Sequence, residues 1–196
     1  LFGMYMDDNF IAKAEAWKQR HGGKKAGYRE MIPGDDFDLG EDGSALYYAD
    51  WDVVGIMFRD WKPAQSHNIS IQGTSGKTSY FLCVGYNHEE GVMTFNPDKL
   101  NKYNANMNVT SDITNWLQIG GRFSYSDKAY TTPNTRRNTY TYMWRWGSFF
   151  GPYGTYQGID MKNDIAYLKQ AGDDKTNDSY TRIGAFLKAT IIKGLT

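Results

Sequence analysis

One short stretch of the chain ends like a phosphate-binding loop. Residues 73–78 read GTSGKT, and Gly76, Lys77 and Thr78 match the end of that motif. The motif also needs a glycine at position 71, where Ile71 stands, and a following helix whose N-terminus holds the phosphate. The residues that follow alternate like a strand instead. We therefore interpret this stretch as a hairpin turn and expect no nucleotide site.

An acidic run at residues 35–43 raises the question of calcium binding. No register of the run gives the EF-hand spacing, with glycine sixth and glutamate twelfth, so we interpret it as a solvated loop. The histidines His21, His67 and His88 are far apart in sequence, and no serine lies in a nucleophile-elbow pattern. The single cysteine, Cys83, excludes an internal disulfide and any multi-cysteine metal site. We predict no catalytic residue, no metal site and no cofactor, and we expect that the protein is not an enzyme.

Aromatic residues are the best candidates for ligand contacts. The chain has 15 Tyr and 6 Trp, and many of its rings fall at residues 140–156, inside a connector that we expect to be a long loop. Such rings must pack as a small satellite core, bury a partner's surface or stack on the apolar faces of sugars, with arginine supplying hydrogen bonds. The candidate substrate-binding residues are Tyr140, Tyr142, Trp144, Arg145 and Trp146. Packing of the loop and direct contact with substrate both stay open.

Charge and hydropathy narrow the class of protein. The 22 basic and 22 acidic residues leave no net charge and form no basic block, so we expect no nucleic-acid partner. No apolar run approaches the roughly 20 residues of a membrane-spanning helix, and the mean hydropathy is −0.64. This does not argue against a membrane barrel, because each of its strands carries only half a hydrophobic face.

Five segments alternate between apolar and polar residues with the period of a β-strand. They lie at roughly 66–74, 78–87, 101–110, 115–127 and 179–193. In the third, Tyr103, Ala105, Met107 and Val109 share one face. The polar face of these strands includes Asn104, Asn106, Asn108, Gln118 and Arg122. One apolar and one polar face on every strand indicates a wall between two solvents.

Strand length separates two architectures that share this alternation. Strands of a soluble β-sandwich average five to six residues, whereas these are about ten. Rings at the ends of an apolar strand face, such as Tyr80 and Tyr86, suit the aromatic girdles of an outer-membrane barrel. Ordinary cross-strand aromatic packing is the alternative explanation for them. The pattern as a whole favours the membrane barrel.

The connectors between the predicted strands alternate in length. Those at 75–77 and 111–114 are short, 88–100 is longer and 128–178 is very long, which is the layout of periplasmic turns and extracellular loops. Five strands cannot close, and open edges facing lipid are too costly, so the rest of the barrel must come from elsewhere. The chain also starts without an initiator methionine and stops after a predicted strand. We expect a fragment of a longer polypeptide.

The first third of the chain predicts a different organisation. Asp7 and Asp8 precede an apolar, alanine-rich stretch that ends at a Gly-Gly pair, which predicts a capped helix of about three turns. Residues 24–50 have no clear period and are predicted as a loop; 50–62 fits either a short helical turn or the approach to a strand. We expect a helix and loop segment at 1–65 that leads into a barrel, and the first barrel strands at 66–196 with a long extracellular loop at 128–178.

The predicted hairpin and its surroundings resemble a known family. Residues 65–81 read QSHNISIQGTSGKTSYF, with VGY at 84–86 and EGV at 90–92, and this resembles the first barrel hairpin of SusC/RagA-type TonB-dependent transporters of Bacteroidetes. Asp50-Trp51 with Phe58-Arg59 is similar to the segment that leads into that barrel, and residues 192–195 are similar to the end of a periplasmic turn. Matching pieces span most of residues 5–195.

The resemblance implies an all-β fold in which this chain is part of a large antiparallel transmembrane β-barrel, about 22-stranded in the family, and the short N-terminal helix predicted above precedes it. It implies import of oligosaccharides or peptides across the bacterial outer membrane, energised by TonB through an N-terminal part that this chain lacks, with a SusD-like surface lipoprotein as lid. Outer-membrane lipid would contact the apolar face, and the polar face would line the lumen. The ring-rich connector favours a glycan as cargo. The alternatives are a soluble carbohydrate-binding β-sandwich and a passive porin.

Overall fold

The computed structural model describes residues 8–145, 151–161 and 163–191, and it is predominantly β, with antiparallel sheets and few helices. In chain order the elements are α1 (Phe10–Arg20), β1 (Phe37–Leu39), β2 (Ala45–Tyr47), α2 (Val53–Met57), β3 (Ala64–Ser75), β4 (Thr78–Glu90), β5 (Lys99–Asp112), β6 (Leu117–Pro133), α3 (Arg136–Arg145), β7 (Thr155–Tyr156), β8 (Ile159–Asp160), α4 (Asp164–Lys169) and β9 (Asp173–Ala189).

The described residues belong to two compact units. The connector unit takes its residues from 1–61, 92–97 and 132–174, and the sheet unit takes its residues from 62–91, 98–131 and 175–196. The boundary at residue 61 lies before β3, but the segment between β6 and β9 folds with the N-terminal segment rather than alone.

The sheet unit is one five-stranded sheet in the order β3-β4-β5-β6-β9. The five predicted strands are confirmed, and all are longer than predicted, at 12 to 17 residues. The pairings of β3 with β4, β4 with β5 and β5 with β6 are antiparallel. β9 also runs antiparallel to β6, because Thr190 N donates to Trp116 O at 2.8 Å while Lys128 Nζ lies 4.0 Å from Asp178 at the other end.

Two tight turns join strands at one end of the sheet. Gly76 and Lys77 connect β3 to β4, and Gly76 has φ +60°, which costs glycine little. Between β5 and β6, the Thr114 hydroxyl accepts a hydrogen bond from Leu117 N at 3.0 Å, which closes the turn. The longer connectors, 91–98 and 134–172, leave from the opposite end, so the predicted alternation of short and long connectors is confirmed.

The predicted bounds of the long loop, 128–178, are wrong at both ends. β6 continues to Pro133 and β9 begins at Asp173, which leaves a connector of residues 134–172. Residues 173–178 of β9 are polar on both faces, and neither face of residues 128–133 is apolar throughout, so no alternation marks these strand ends. Backbone pairing does not depend on hydropathy. The connector is not an open loop either, since it contains α3, the β7–β8 hairpin and α4.

The connector unit has an aromatic core. The fully buried side chains include Trp17, Met31, Phe37, Trp51, Met57, Tyr153, Ile165 and Leu168. Residues 24–50, predicted as a loop, contain the β1–β2 hairpin, in which Phe37 pairs with Tyr47. Strands of three residues are too short to show a period in the sequence, so this part of the prediction failed. The predicted helix is confirmed as α1, although its N-cap is Asn9 without a side-chain cap, and the helical alternative for 50–62 is confirmed by α2.

Candidate functional site

Strand register gives the sheet one apolar and one polar face. Directly paired residues of an antiparallel sheet share a face, so the row of Ile71, Leu82, Met107 and Phe123 is apolar across four strands. We define the apolar face by Ile69, Ile71, Tyr80, Leu82, Val84, Tyr103, Ala105, Met107, Val109, Leu117, Ile119, Phe123, Tyr125, Ile183, Ala185 and Leu187.

The apolar face is not covered within the described structure. Leu82, Met107 and Ile119 keep 41–42% of their surface exposed, and Leu187 keeps 67%. None of the described residues of the sheet unit is buried, on either face. A sheet normally buries one face against another layer. The sheet therefore has no hydrophobic core of its own, and its apolar face needs an apolar neighbour.

The apolar stretch shifts along the strands as the sheet is crossed. On β3 it comprises Ile69 and Ile71, which lie in the rows of Tyr125 and Phe123 on β6. On β6 it continues past those rows to Leu117, toward the turn that joins β5 and β6. Strands that are tilted relative to a flat apolar layer need this shift to keep their apolar residues inside it.

The polar face holds all five residues predicted to line a lumen. Asn104, Asn106 and Asn108 lie on β5, with Gln118 and Arg122 on β6, and the register puts them on the face opposite Met107. Their contacts are polar: the Ser124 hydroxyl donates to Asn106 Oδ1 at 2.5 Å and Gln118 Nε2 donates to Asp112 at 2.8 Å. Polarity of this face is thereby shown, while its contact with a lumen stays a prediction.

Glycines on the polar face make room for ring and amide side chains. A Cβ at Gly120 would overlap the Phe186 ring and approach Val109 O at 3.0 Å, whereas a Cβ at the neighbouring Gly121 would meet only Gly184 O at 4.0 Å. The Phe186 ring in turn lies next to Arg122, whose Cζ is 5.5 Å from the ring centroid.

We expect Gly120→Ala to cost about 1–3 kcal/mol of stability, because the added Cβ would overlap the Phe186 ring and also crowd the backbone carbonyl oxygen of Val109. Gly121→Ala, one residue away on the apolar face, should cost less than about 0.5 kcal/mol. The check is the midpoint of urea unfolding, measured for both variants under the same conditions. A cost for Gly120→Ala that persists in a Phe186→Ala background would contradict the ring as its cause.

The aromatic connector divides into buried and exposed rings. Tyr153 is 2% exposed and Tyr156 meets Phe37 edge-on with centroids 5.3 Å apart. α3 turns Thr139 and Met143 inward, while Tyr140 and Tyr142 remain 52% and 40% exposed. Part of the cluster thus packs as a core, and contact of Tyr140 and Tyr142 with substrate stays a prediction. The side chains of Trp144 and Arg145, and all of Trp146, lie outside the described residues.

Sequence reasoning missed the polar centre of the connector unit, which is Asp36. Its side chain is 1% exposed and accepts hydrogen bonds from Arg29 at 2.6 and 2.7 Å, Trp17 Nε1 at 3.0 Å and Ile32 N at 2.8 Å. Burial alone would raise the pKa of this carboxyl, but these bonds, Arg29 foremost, hold it below its usual value. Prediction of a solvated acidic run is therefore wrong at Asp36. Asp36 is one of several acids in that run, and nothing in the local sequence distinguishes it as the buried one.

A second polar cluster joins distant parts of the connector unit. Lys169 Nζ lies 2.9 Å from Asp160 Oδ1 and 2.5 Å from the Tyr28 hydroxyl, which donates to the same carboxylate. The ammonium also lies 4.6 and 4.9 Å from the ring centroids of Tyr28 and Phe95. Burial, with the bond to Asp160, raises the pKa of Tyr28. A general base needs a pKa nearer neutrality, so the cluster fits a structural tie rather than a catalytic site.

Asp164 is an acid whose environment opposes its charge. It begins α4 after the N-cap Asn163, and burial raises its pKa from 3.8 to about 6. The folded state therefore binds this proton more tightly than the unfolded state. Protonation of Asp164 thus stabilises the folded state; this stabilisation is complete below pH 3.8 and is lost as the pH rises to about 6.

We expect Asp164→Asn to raise stability by about 1–2 kcal/mol near neutral pH, a figure reduced from the full shift because the side chain is partly exposed. At about pH 4 the variant and the unsubstituted protein should differ little in stability. Urea unfolding at the two pH values, with the exposed Asp60→Asn as control, checks this. An equal effect of Asp164→Asn at both pH values would exclude the carboxyl charge as the cause.

The described residues bring together no group of three or more His, Cys, Asp or Glu side chains that could hold a metal ion. No helix among them combines the length and apolar character needed to cross a membrane. Comparison with models of known protein families, with curated proteins and with solved structures finds no match for this chain.

Proposed function

We propose that this chain forms part of the barrel wall of a TonB-dependent importer, which moves oligosaccharides or peptides across a bacterial outer membrane. The observation that carries the proposal is the exposed apolar face on long antiparallel strands whose other face is polar. The exposed Leu and Ile side chains of that face keep 41–79% of their surface accessible, so covering it would gain about 1–2 kcal/mol for each, and an apolar neighbour is strongly favoured. Outer-membrane lipid supplies one without covering the polar face.

Dimensions support lipid as that neighbour. The apolar stretch of β6 runs from Leu117 to Tyr125. At about 3.3 Å per residue this is roughly 27 Å along the strand, or about 20 Å across a layer for a strand tilted by about 40°. The apolar band of outer-membrane barrels is about 25 Å tall. Tyr80 and Tyr125 end the stretch on their strands with rings, as the girdle of such a barrel requires.

The remaining parts of the proposal follow the family resemblance. The edges of β3 and β9 would pair with further strands of a parent polypeptide, since open edges do not persist in lipid. TonB would act through an N-terminal part of that polypeptide, and a SusD-like lipoprotein would close the extracellular side. Within this scheme the polar face lines the lumen, and Tyr140 and Tyr142 contact the cargo or the lid.

A cysteine scan tests which face meets lipid. Cys83 lies on the polar face, so it is first replaced by serine in the parent protein. Single cysteines are then placed at Leu82 and Met107 on the apolar face and at Asn106 and Asn108 on the polar face, and each is labelled with a fluorophore. We expect brominated lipids to quench the first pair and aqueous iodide to quench the second.

Two outcomes would reject the proposal. Equal quenching of the two faces by brominated lipid would remove the difference on which it depends. A parent protein that is monomeric and unfolds cooperatively in plain buffer would instead support the soluble carbohydrate-binding β-sandwich, in which the apolar face packs on a second sheet.

A further inference from the structure

Two arginines of the polar face lie close together on neighbouring strands. The contacts between β6 and β9 place Gly184 opposite Arg122 and Arg182 opposite Ser124, in the register that pairs Lys128 with Asp178. Arg122 and Arg182 are therefore diagonal neighbours, with backbone positions about 7–8 Å apart. Both point to the same side of the sheet, and both are exposed.

Each guanidinium is held by an aromatic ring. Arg122 Cζ lies 5.5 Å from the centroid of Phe186, and Arg182 Cζ lies 5.4 Å from that of Tyr180. Stacking on a ring uses the face of a guanidinium and leaves the N–H groups at its edge for a ligand. A Cβ added at Gly184, beside Arg122, would meet nothing within 4 Å, so there is open space next to this side chain.

The charge of this pair is not neutralised by nearby acids. Among the residues that the structure describes, no carboxylate oxygen lies within 4.0 Å of either guanidinium. The two acids of the same face near them are engaged elsewhere, since Asp178 faces Lys128 at 4.0 Å and Asp112 accepts from Gln118 at 2.8 Å. Like charges held in adjacent positions of a sheet are destabilising, and an anion between them removes that cost.

We propose that Arg122 and Arg182 form a binding site for an anionic oxygen group, which we assign to the acidic residue of an oligosaccharide cargo. Planar guanidinium forks match carboxylate, sulfate and phosphate oxygens. Asn108, opposite Arg122, and Asn106, opposite Ser124, supply neutral groups for sugar hydroxyls. This inference rests on the proposed function for the polar face as the one that meets cargo and for an oligosaccharide as that cargo.

Equilibrium dialysis of the purified parent protein tests the site. The probes are an oligogalacturonate, a neutral malto-oligosaccharide of equal length, and inorganic phosphate. We expect the acidic oligomer to bind more tightly than the neutral one. Arg122→Gln and Arg182→Gln should each weaken its binding about tenfold, as expected for loss of one charge-assisted contact. Lys128→Gln, which removes an equal charge from the same face, should change it less than about twofold.

The outcomes separate the sources of the anion. Binding of phosphate alone, with the same dependence on both arginines, would retain the anion site and overturn its assignment to an oligosaccharide. Equal binding of acidic and neutral oligomers, or equal losses in Arg122→Gln and Lys128→Gln, would overturn the site itself. Arg122→Lys keeps the charge without the fork and should bind with intermediate affinity. If circular dichroism shows that Arg122→Gln does not fold, the binding of the acidic oligomer by Arg182→Gln tests the site.

Failure of this inference and failure of the proposed function are distinguishable. If brominated lipid quenches the labels on the apolar face, but neither arginine substitution changes binding of the acidic oligomer, only the anion site is rejected. A soluble protein that binds the acidic oligomer through both arginines would retain the anion site and remove the importer.

Discussion

The substitution Asp36→Asn should lower the free energy of unfolding of the connector unit by about 3–5 kcal/mol. Asp36 is buried and accepts four hydrogen bonds, two of them from the Arg29 guanidinium. An amide has one acceptor oxygen and would turn an N–H₂ group toward donors. Arg29 would lose its counterion, and the indole N–H of Trp17 would lose its acceptor.

Tryptophan fluorescence during urea unfolding is a direct measurement, because Trp17 bonds to Asp36 and Trp51 lies 5.5 Å from Arg29 Cζ. Asp38→Asn is the matched control in the same acidic run. Asp38 pairs with Lys13 at 2.7 Å, but its side chain is 40% exposed, so we expect a loss below about 1 kcal/mol. Equal losses for the two variants would contradict a buried ion pair as the centre of this unit.

The same pair sets a pH dependence of opposite sign to that of Asp164. Although burial opposes it, the pKa of Asp36 is held below its usual 3.8, so the folded state binds this proton less tightly than the unfolded state. The stabilisation is present above about pH 4 and is lost as the pH falls through the lowered pKa. Acid should therefore remove this contribution to the stability of the connector unit, and in Asp36→Asn this part of the acid sensitivity should disappear.

Strand alternation in the sequence was sufficient to predict the sheet. Residues 101–110 alternate over ten positions, and β5 places Met107 and Asn108 on opposite faces as predicted. The sequence also predicted that Asn104, Asn106 and Asn108 lie on the polar face, because a side chain's face in a strand follows from its position alone. The strand ends were missed. β6 and β9 extend into residues without apolar alternation, while β6 begins at Leu117 and β9 ends at Ala189, inside the predicted limits of 115 and 193.

The connector unit could not be predicted in the same way. Its stability depends on pairs far apart in sequence, such as Trp17 with Asp36 and Tyr28 with Asp160. The aromatic cluster at 140–156 has one composition but two roles, since Tyr153 is buried and Tyr142 is exposed. Which ring turns inward depends on contacts with residues far outside the cluster, such as that of Tyr156 with Phe37, and no local pattern records them.

The arginine pair shows the same limit within the sheet. Alternation places Arg122 and Arg182 on polar faces of their own strands. Their proximity depends on the register between β6 and β9, which are joined by the 134–172 connector. Turn geometry does not fix the register across so long a connector, and the alternation of one strand allows every shift by two residues, so the register requires the structure.

A pair of neighbouring substitutions on β3 should differ sharply in cost. Ile71 is 56% exposed on the apolar face, and Gln72 is exposed on the polar face one residue later. If lipid covers the apolar face, Ile71→Arg should destabilise the parent protein in bilayers by about 2–4 kcal/mol, as for arginine near the bilayer midplane. Gln72→Arg adds the same charge at the same depth on the other face, where we expect a change of about 0–1 kcal/mol. Urea titration of protein refolded in liposomes measures both.

Depth separates lipid from a second protein layer as the cause of that difference. Arginine introduced at Ile71 and at His67 of the same face should show a cost that falls toward the polar end of the strand, because the penalty in a bilayer decreases toward its interfaces. Thicker bilayers should raise the cost at His67, which lies beside the ring of Tyr86 with centroids 6.4 Å apart. If the loss of stability does not change with bilayer thickness at either position, the apolar face packs against protein instead.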